Sequence, residues 1–211
     1  MAEHGDPSFH RHIAIAEIWG LLGLRLADDP ILPFNYLSYA TQLHVSAYLP
    51  KPWLSLSYEL LHYFILGLEH ATALDVLLDE GISLQLLNTS IDELTAAIRE
   101  AVEEVQKLQE AKDTGYFASL RRRAFNDRLM LAERGFLEAE GLKGRPWFKH
   151  LLYSPPEDFE SKLSFFPGIA DAISQAARST GKEAHSSLQH EIWRVARAIQ
   201  RAAAALRGEL I

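Results

Sequence analysis

The chain has 211 residues, 48% of them hydrophobic and 23% charged, a globular composition that excludes a disordered polymer and allows one large domain or two small ones. A formal net charge of -7 argues against nonspecific binding to nucleic acid or to an acidic membrane surface. The absence of cysteine excludes disulfides and thiolate chemistry.

Residues 1–9 are polar and lack the apolar run of a signal peptide, so they are expected to form a disordered or artificial tail. A helical pattern follows from about His10 to Ala27, with Ile15, Ile18, Leu22 and Leu26 on one expected core face. Gly20 and Gly23 weaken its middle, or permit close approach of a neighbour. Asp28-Asp29-Pro30 stops it. Asn35 is placed to cap a second helix, about Tyr36 to Tyr48, in which Leu43 and Ala47 share a face with Tyr36 or Ala40. Pro50-Lys51-Pro52 breaks that helix. Residues 53–80 are apolar on several faces; Leu56, Leu60, Phe64 and Leu68 make one stripe, fit for the centre of a bundle or for a partner. The run Leu60 to Leu68 is too short to span a membrane.

Ser90-Ile91-Asp92-Glu93 reads as a capping box opening a further amphipathic helix, with Ile91, Leu94, Ile98, Ala101, Val105 and Leu108 on its dry side. The next helix runs from about Phe117 to Glu140, ending at Gly141. Phe125, Leu129, Ala132 and Phe136 form its stripe, and Leu120, Ala124 and Leu131 widen it. Arg121-Arg122-Arg123 reads as a solvated face rather than a phosphate site. The last helix spans about Glu183 to Leu206, with a seam of Leu188, Ile192, Val195, Ile199, Ala203 and Leu206.

Between these helices lies Gly141 to Asp171, rich in proline and aromatic residues. A connection of that length inside a domain is uncommon and is often functional. Its backbone has few ladder partners, so apolar side chains must hold it down. Trp147, Phe148, Tyr153 and Phe166 are the expected anchors, with Pro155-Pro156 stiffening the exit and Pro167 opening a short helix. The predicted architecture is an all-α helical bundle with one long ordered excursion. Neither a nucleophile elbow nor a Gly-rich phosphate loop nor a His-Glu-x-x-His pattern occurs. The sets His62, Glu69, His70 and Glu183, His185, His190 read as ordinary helix residues, and His150 as a satisfied, half-buried histidine.

Arg145-Pro146-Trp147-Phe148-Lys149-His150-Leu151-Leu152-Tyr153-Ser154-Pro155-Pro156, followed by Ser164-Phe165-Phe166-Pro167-Gly168-Ile169-Ala170-Asp171-Ala172, resembles the C-terminal dimerisation domain of transferrin-receptor and glutamate-carboxypeptidase-II-like proteins. Asn126-Asp127-Arg128-Leu129-Met130 through Phe136 is similar to that family's N-D-Q-L-M-x-L-E-R-A-F segment. Asp29-Pro30-Ile31-Leu32-Pro33-Phe34-Asn35 is similar to its connector, and the final helix matches in pattern. The resemblance covers roughly residues 10–49 and 85–206, and leaves about 50–89 as a family-atypical insertion within a single domain over 10–208.

The resemblance implies a non-catalytic domain that pairs with a second copy and contacts a preceding peptidase-like domain. Zinc would belong to that other domain, and no cofactor to this chain. It implies a parent that is membrane-anchored, vacuolar or secretory, though this chain itself has no direct membrane insertion and no nucleic-acid partner. The structural loop residues are then Arg145, Pro146, Trp147, Phe148, His150, Tyr153, Pro155, Phe166, Pro167 and Gly168. Candidate interface residues are Leu60, Phe64 and Leu68 in the insertion and Ile192, Trp193 and Ile199 in the last helix. In the family's peptidases the loop before F-P-G supplies a Lys-Tyr pair to the substrate carboxylate. Here Glu160 and Ser161 stand at those positions, and Lys162 is the remaining substrate-loop candidate. Two alternatives stand beside this reading: a piece of a zinc-dependent exopeptidase, and an independent helical protein-binding module.

Overall fold

Among the described residues the helix periodicity of the sequence becomes six helices: α1 (His10–Asp28), α2 (Tyr36–Ala47), α3 (Gln85–Glu110), α4 (Tyr116–Gly135), α5 (Pro167–Arg178) and α6 (Lys182–Arg207). The structure is a computed structural model that describes residues 6, 8–47, 82–110, 115–155, 157, 166–178 and 182–209. Among the described residues the only β-type pairings are two isolated bridges, so the fold is the all-α bundle that the periodicity predicts.

The last helix organises the bundle. α6 packs against α3, α4 and α5, and α2 lies on α3. Its seam of Leu188, Ile192, Val195, Ile199, Ala203 and Leu206 is buried along its full length. Alanines at 196, 198, 202 and 205 are buried beside it and let neighbours come close. Closest is α4, because a Cβ on Gly135 would stand 2.7 Å from the Ala202 backbone nitrogen. From α3 the core receives Ile91, Leu94 and Ile98; from α4, Phe125, Leu129 and Ala132; from α2, Tyr36, Ala40 and Leu43. Asn35 caps α2 as expected, accepting from the Leu37 amide at 3.1 Å.

Four local readings are corrected. α3 begins at Gln85, not at a box on Ser90. Ser90 is inside the helix and fully buried, its hydroxyl donating back to the Leu86 carbonyl at 2.7 Å. Ser83 takes the start instead, accepting from the Gln85 amide and exchanging two hydrogen bonds with the Gln189 side chain of α6. α4 ends at Gly135 rather than near Glu140, because Phe136 turns into the core. Leu120, Ala124 and Leu131 do not widen the core face of α4; they are exposed. The apolar stripe of α1 is also exposed: no residue of that helix is buried. Asp6, within the stretch read as a tail, accepts from the His12 amide at 3.1 Å and holds the start of α1.

Candidate interaction surfaces

The excursion after α4 is ordered by backbone pairing across a narrow loop. Glu138 donates to the Lys149 carbonyl and Leu142 to the Phe148 carbonyl, both at 2.9 Å, and Leu151 donates to the Phe136 carbonyl at 3.0 Å. Gly141 sits at φ +68, where a Cβ would meet the Pro146 carbonyl oxygen at 2.5 Å. Only glycine fits that turn. The apolar anchors are Leu142, Leu151 and Leu152, all buried, with Phe148 packed partly against the core.

Trp147 was expected among the anchors, but 67% of it is exposed. It lies in a turn, its ring 6.0 Å from that of Phe148. Tyr153 is also exposed, although its ring packs edge-on against Tyr39 and beside His150. Phe166 is buried as expected and holds φ +56, turning the chain into Pro167 at the start of α5.

Two ion pairs lock the excursion to the bundle. Arg145 donates to Asp171 of α5 and, at 2.6 Å, to the Pro155 carbonyl; its guanidinium lies over the Phe148 ring. The second Asp171 oxygen accepts from the Glu157 amide at 2.7 Å. Asp171 therefore ties the first part of the excursion at Arg145 and its middle at Glu157 to α5. Deeper in, Arg194 of α6 bonds Glu191 at 3.0 and 3.2 Å and donates to the Gly141 carbonyl. Glu191 presses against the first turn of α5, where a Cβ on Gly168 would stand 2.4 Å from its oxygen. A carboxylate at a helix start is favoured by the helix dipole. Both charges are buried, and they are tolerated because they are paired and hydrogen-bonded.

His150 is a satisfied side chain. Its Nδ1 accepts from the Leu152 and Tyr153 amides at 3.2 and 3.1 Å, which leaves Nε2 to donate to Glu133 at 3.2 Å. That contact, reinforced by Tyr39, holds the Glu133 carboxyl below its ordinary range against the opposing effect of burial. Burial, with the Glu133 charge second, pushes the Tyr36 and Tyr39 phenols well above theirs. Tyr36 donates to the Leu129 carbonyl at 2.5 Å. The ring series Tyr36, Tyr39, Phe136, His150 and Tyr153 joins α2 to the excursion. His150 thus ties the backbone of the excursion to Glu133 of α4.

Of the candidate interface residues, Ile192 and Ile199 are wholly buried in the core of this chain and offer no surface. The cause is their place in the α6 seam, where they face α3 and α4. Trp193 is 48% exposed and stacks on His190. Leu60, Phe64, Leu68, Lys162, Glu160, Ser161 and Pro156 lie outside the described residues, as does the part of the insertion at 50–81. Arg145, Asp171, Glu191, Arg194, Glu133 and Asn126 do the positioning. Asn126 clips the connector by accepting from the Leu32 amide at 3.0 Å and donating to the Pro30 carbonyl at 3.2 Å. Sequence periodicity cannot reveal the contacts Arg145–Asp171, Glu133–His150 or Asn126–Leu32, since their partners are distant in the chain.

Large apolar surfaces remain uncovered. α1 exposes Ile13, Ile15, Ile18, Trp19, Leu21 and Leu24, each more than half accessible. None of the described helices is long and apolar enough to cross a membrane. A second stripe runs along the outside of α4 through Phe117, Leu120 and Leu131. Among the described residues no group of three or more His, Cys, Asp or Glu could hold a metal, and the chain has no cysteine.

An all-α bundle with a clamped loop and bare apolar helix faces defines a helical interaction domain. The chain belongs to the transferrin receptor-like dimerisation domain family, whose model matches residues 82–207. It is 52% identical to "Probable glutamate carboxypeptidase VP8" of Zea mays over 99% of this chain and 26% of that protein. To "Probable glutamate carboxypeptidase AMP1" of Arabidopsis thaliana it is 46% identical, again over 99% of this chain and 26% of the relative. With "Probable glutamate carboxypeptidase LAMP1", also of Arabidopsis thaliana, it shares 39% identity over 100% of this chain and 26% of that one. The chain thus spans about a quarter of the length of these relatives.

Proposed function

We propose that this chain is a non-catalytic homodimerisation domain that also docks onto a peptidase-like domain. The observation that carries the reading is the family match over 82–207, the stretch that contains the α3–α6 bundle and the clamped excursion. Pairing with a second copy offsets the cost of leaving the outer stripe of α4 in water.

Docking is supported by α1. That helix lies outside the 82–207 match, yet the relatives align with nearly the whole chain and are about four times as long. A helix apolar on several faces belongs inside a larger structure. Gly20 and Gly23 have nothing within 4 Å of where a Cβ would stand, so no described residue packs against them. A closely packed adjoining domain would.

Sedimentation velocity over a wide concentration range tests the pairing. A dimer is expected, and a monomer at the highest concentration refutes it. Amide exchange tests the docking: α1 should exchange fast in this chain and slowly in a protein with a peptidase-like domain ahead of it. Fast exchange in both refutes the docking.

A second reading is favoured by the names of the relatives: the whole protein is a zinc-dependent exopeptidase of the glutamate carboxypeptidase kind. In that reading the metal chemistry resides in the peptidase-like domain, and this chain contributes assembly and the frame of the excursion.

A further inference from the structure

Beside the connector from α1 to α2 lies a cleft that the bundle does not fill. Its floor is Ile98 and Ala101 of α3, Phe125 and Leu129 of α4 and Leu206 of α6, all buried. Phe34 and Leu37 stand on one wall and Val102 on the other, 42, 50 and 45% exposed. The cleft encloses about 380 Å³. It stays open because the connector is tied at both ends. Asn126 holds Leu32 and Pro30, and the Tyr36 hydroxyl donates to the Leu129 carbonyl. Between those ties the Phe34 amide donates to the Leu32 carbonyl at 2.8 Å, with the stiff Pro33 inside the turn. The connector therefore resists sinking onto the floor.

Polar groups gather towards the C-terminal end of α3, where Gln106 and Gln109 line the cleft with exposed carboxamides. Asn35, also in the lining, is already engaged in capping α2. A second cavity of about 450 Å³ shares Ile31 and Gln109 with the first and adds Asp29 and Arg122. We propose that the cleft binds an uncharged amphipathic small molecule, with its apolar body on the floor and its hydrogen-bonding end at Gln106 and Gln109. Size decides against a partner's helix. A single turn, about 10 Å across and 5.4 Å long, fills roughly 420 Å³, more than the cleft encloses. Small-molecule pockets run from about 300 to 1,000 Å³, occur between the helices of bundles, and join an apolar lining to a few polar groups. An apolar cavity of about 150 Å³ already holds benzene, so this one has room for a two-ring body. Charge decides the polar end: Asp29 and Arg122 stand in the same adjoining cavity with opposite signs, which matches neither a lone anion nor a lone cation.

Titration of the chain with naphthalene and 2-naphthol, followed by methyl NMR, tests the proposal. The methyls of Ile98, Leu129 and Leu206 should shift saturably at one molecule per chain, with a Kd below about 1 mM for 2-naphthol. Those of Ile13 and Ile18 on the bare α1 should show no saturable shift. 2-Naphthol should bind about fivefold more tightly than naphthalene, the worth of one net hydrogen bond, and Gln106→Leu with Gln109→Leu should bring the two within about twofold. Val102→Trp and Leu37→Trp fill the cleft from opposite walls, and each should weaken binding at least about tenfold. Both positions are exposed, so the melting midpoint should hold and separates misfolding from a filled site. Unchanged binding in both V102W and L37W, or saturable shifts confined to α1, overturns the site. An affinity ratio that survives Q106L/Q109L overturns the polar end. 2-Naphthol should also bind a protein that carries a peptidase-like domain ahead of this chain. Its exclusion there would mean that the cleft belongs to the contact between domains, and would overturn the ligand reading.

Discussion

Replacing Leu152 with alanine tests what holds the excursion to the bundle. Leu152 has no exposed surface and lies in the main core with Leu151 and Phe136. Removing most of a fully buried leucine costs about 2–5 kcal/mol through lost transfer energy and the cavity left behind. The surrounding backbone is fixed by the Leu151–Phe136 bond and by the His150 ring, so the site cannot easily collapse. A central loss of about 3 kcal/mol lowers the thermal midpoint by roughly 6–12 °C in a chain of this size. Trp147→Ala is the paired control. Trp147 is larger, but two thirds of it is in water, so its loss should cost no more than about 0.5 kcal/mol. Differential scanning calorimetry and urea unfolding of both variants give the comparison. An equal or larger shift for Trp147→Ala would refute the reasoning.

Asp171→Asn should strand the half-buried Arg145 guanidinium and cost about 3–5 kcal/mol, with faster amide exchange through residues 145–157; unchanged exchange there means that the backbone pairing alone holds the loop. Stability should also fall on acidification. The folded-state pKa of Glu133 is depressed, so its contribution is complete above the unfolded value near 4.5 and is lost as pH drops through the folded value. Glu133→Gln should remove that part of the acid transition while leaving the remainder, as read by urea midpoints between about pH 3 and 7. An identical pH dependence in both proteins contradicts the Glu133–His150 contact.

The bundle was legible because it rests on periodicity. The α6 seam, the stripe Phe125, Leu129, Ala132 and the α3 residues Ile91, Leu94, Ile98 and Ala101 repeat at helical spacing and are buried, while Val105 and Leu108 at the far end of α3 are partly buried against the core. Helix ends were less legible, since they depend on partners far along the chain. Ser90 with Glu93 imitates a capping box, but Ser83 reaches Gln189 on α6 and starts the helix earlier. Gly141 imitates a helix end, yet it serves a turn closed by Pro146, while α4 stops where Gly135 crosses Ala202. The stripe of α1 looks like a core face by spacing alone. Spacing shows that a face needs cover, not which element covers it, and here no described element does. Aromatic size misled in the same way at Trp147: the small turn around Gly144 to Trp147 carries it outward, and leucines take the anchoring role.

The motif pair that carries the family resemblance is a mechanical unit. Arg145 opens the first half and Asp171 closes the second, and the two meet across 26 residues. Asp171 also holds the Glu157 amide, and Phe166 with Pro167 sets the return into α5. Glu157 and Phe166 are thus both fixed to the bundle, and residues 158–165 between them lie outside the described residues. A sequence can then keep the R-P and F-P-G-I-x-D-A motifs while Glu160 and Ser161 replace a Lys-Tyr pair. The motifs report the clamp and hence the fold. A fold match of this kind does not by itself carry an activity with it.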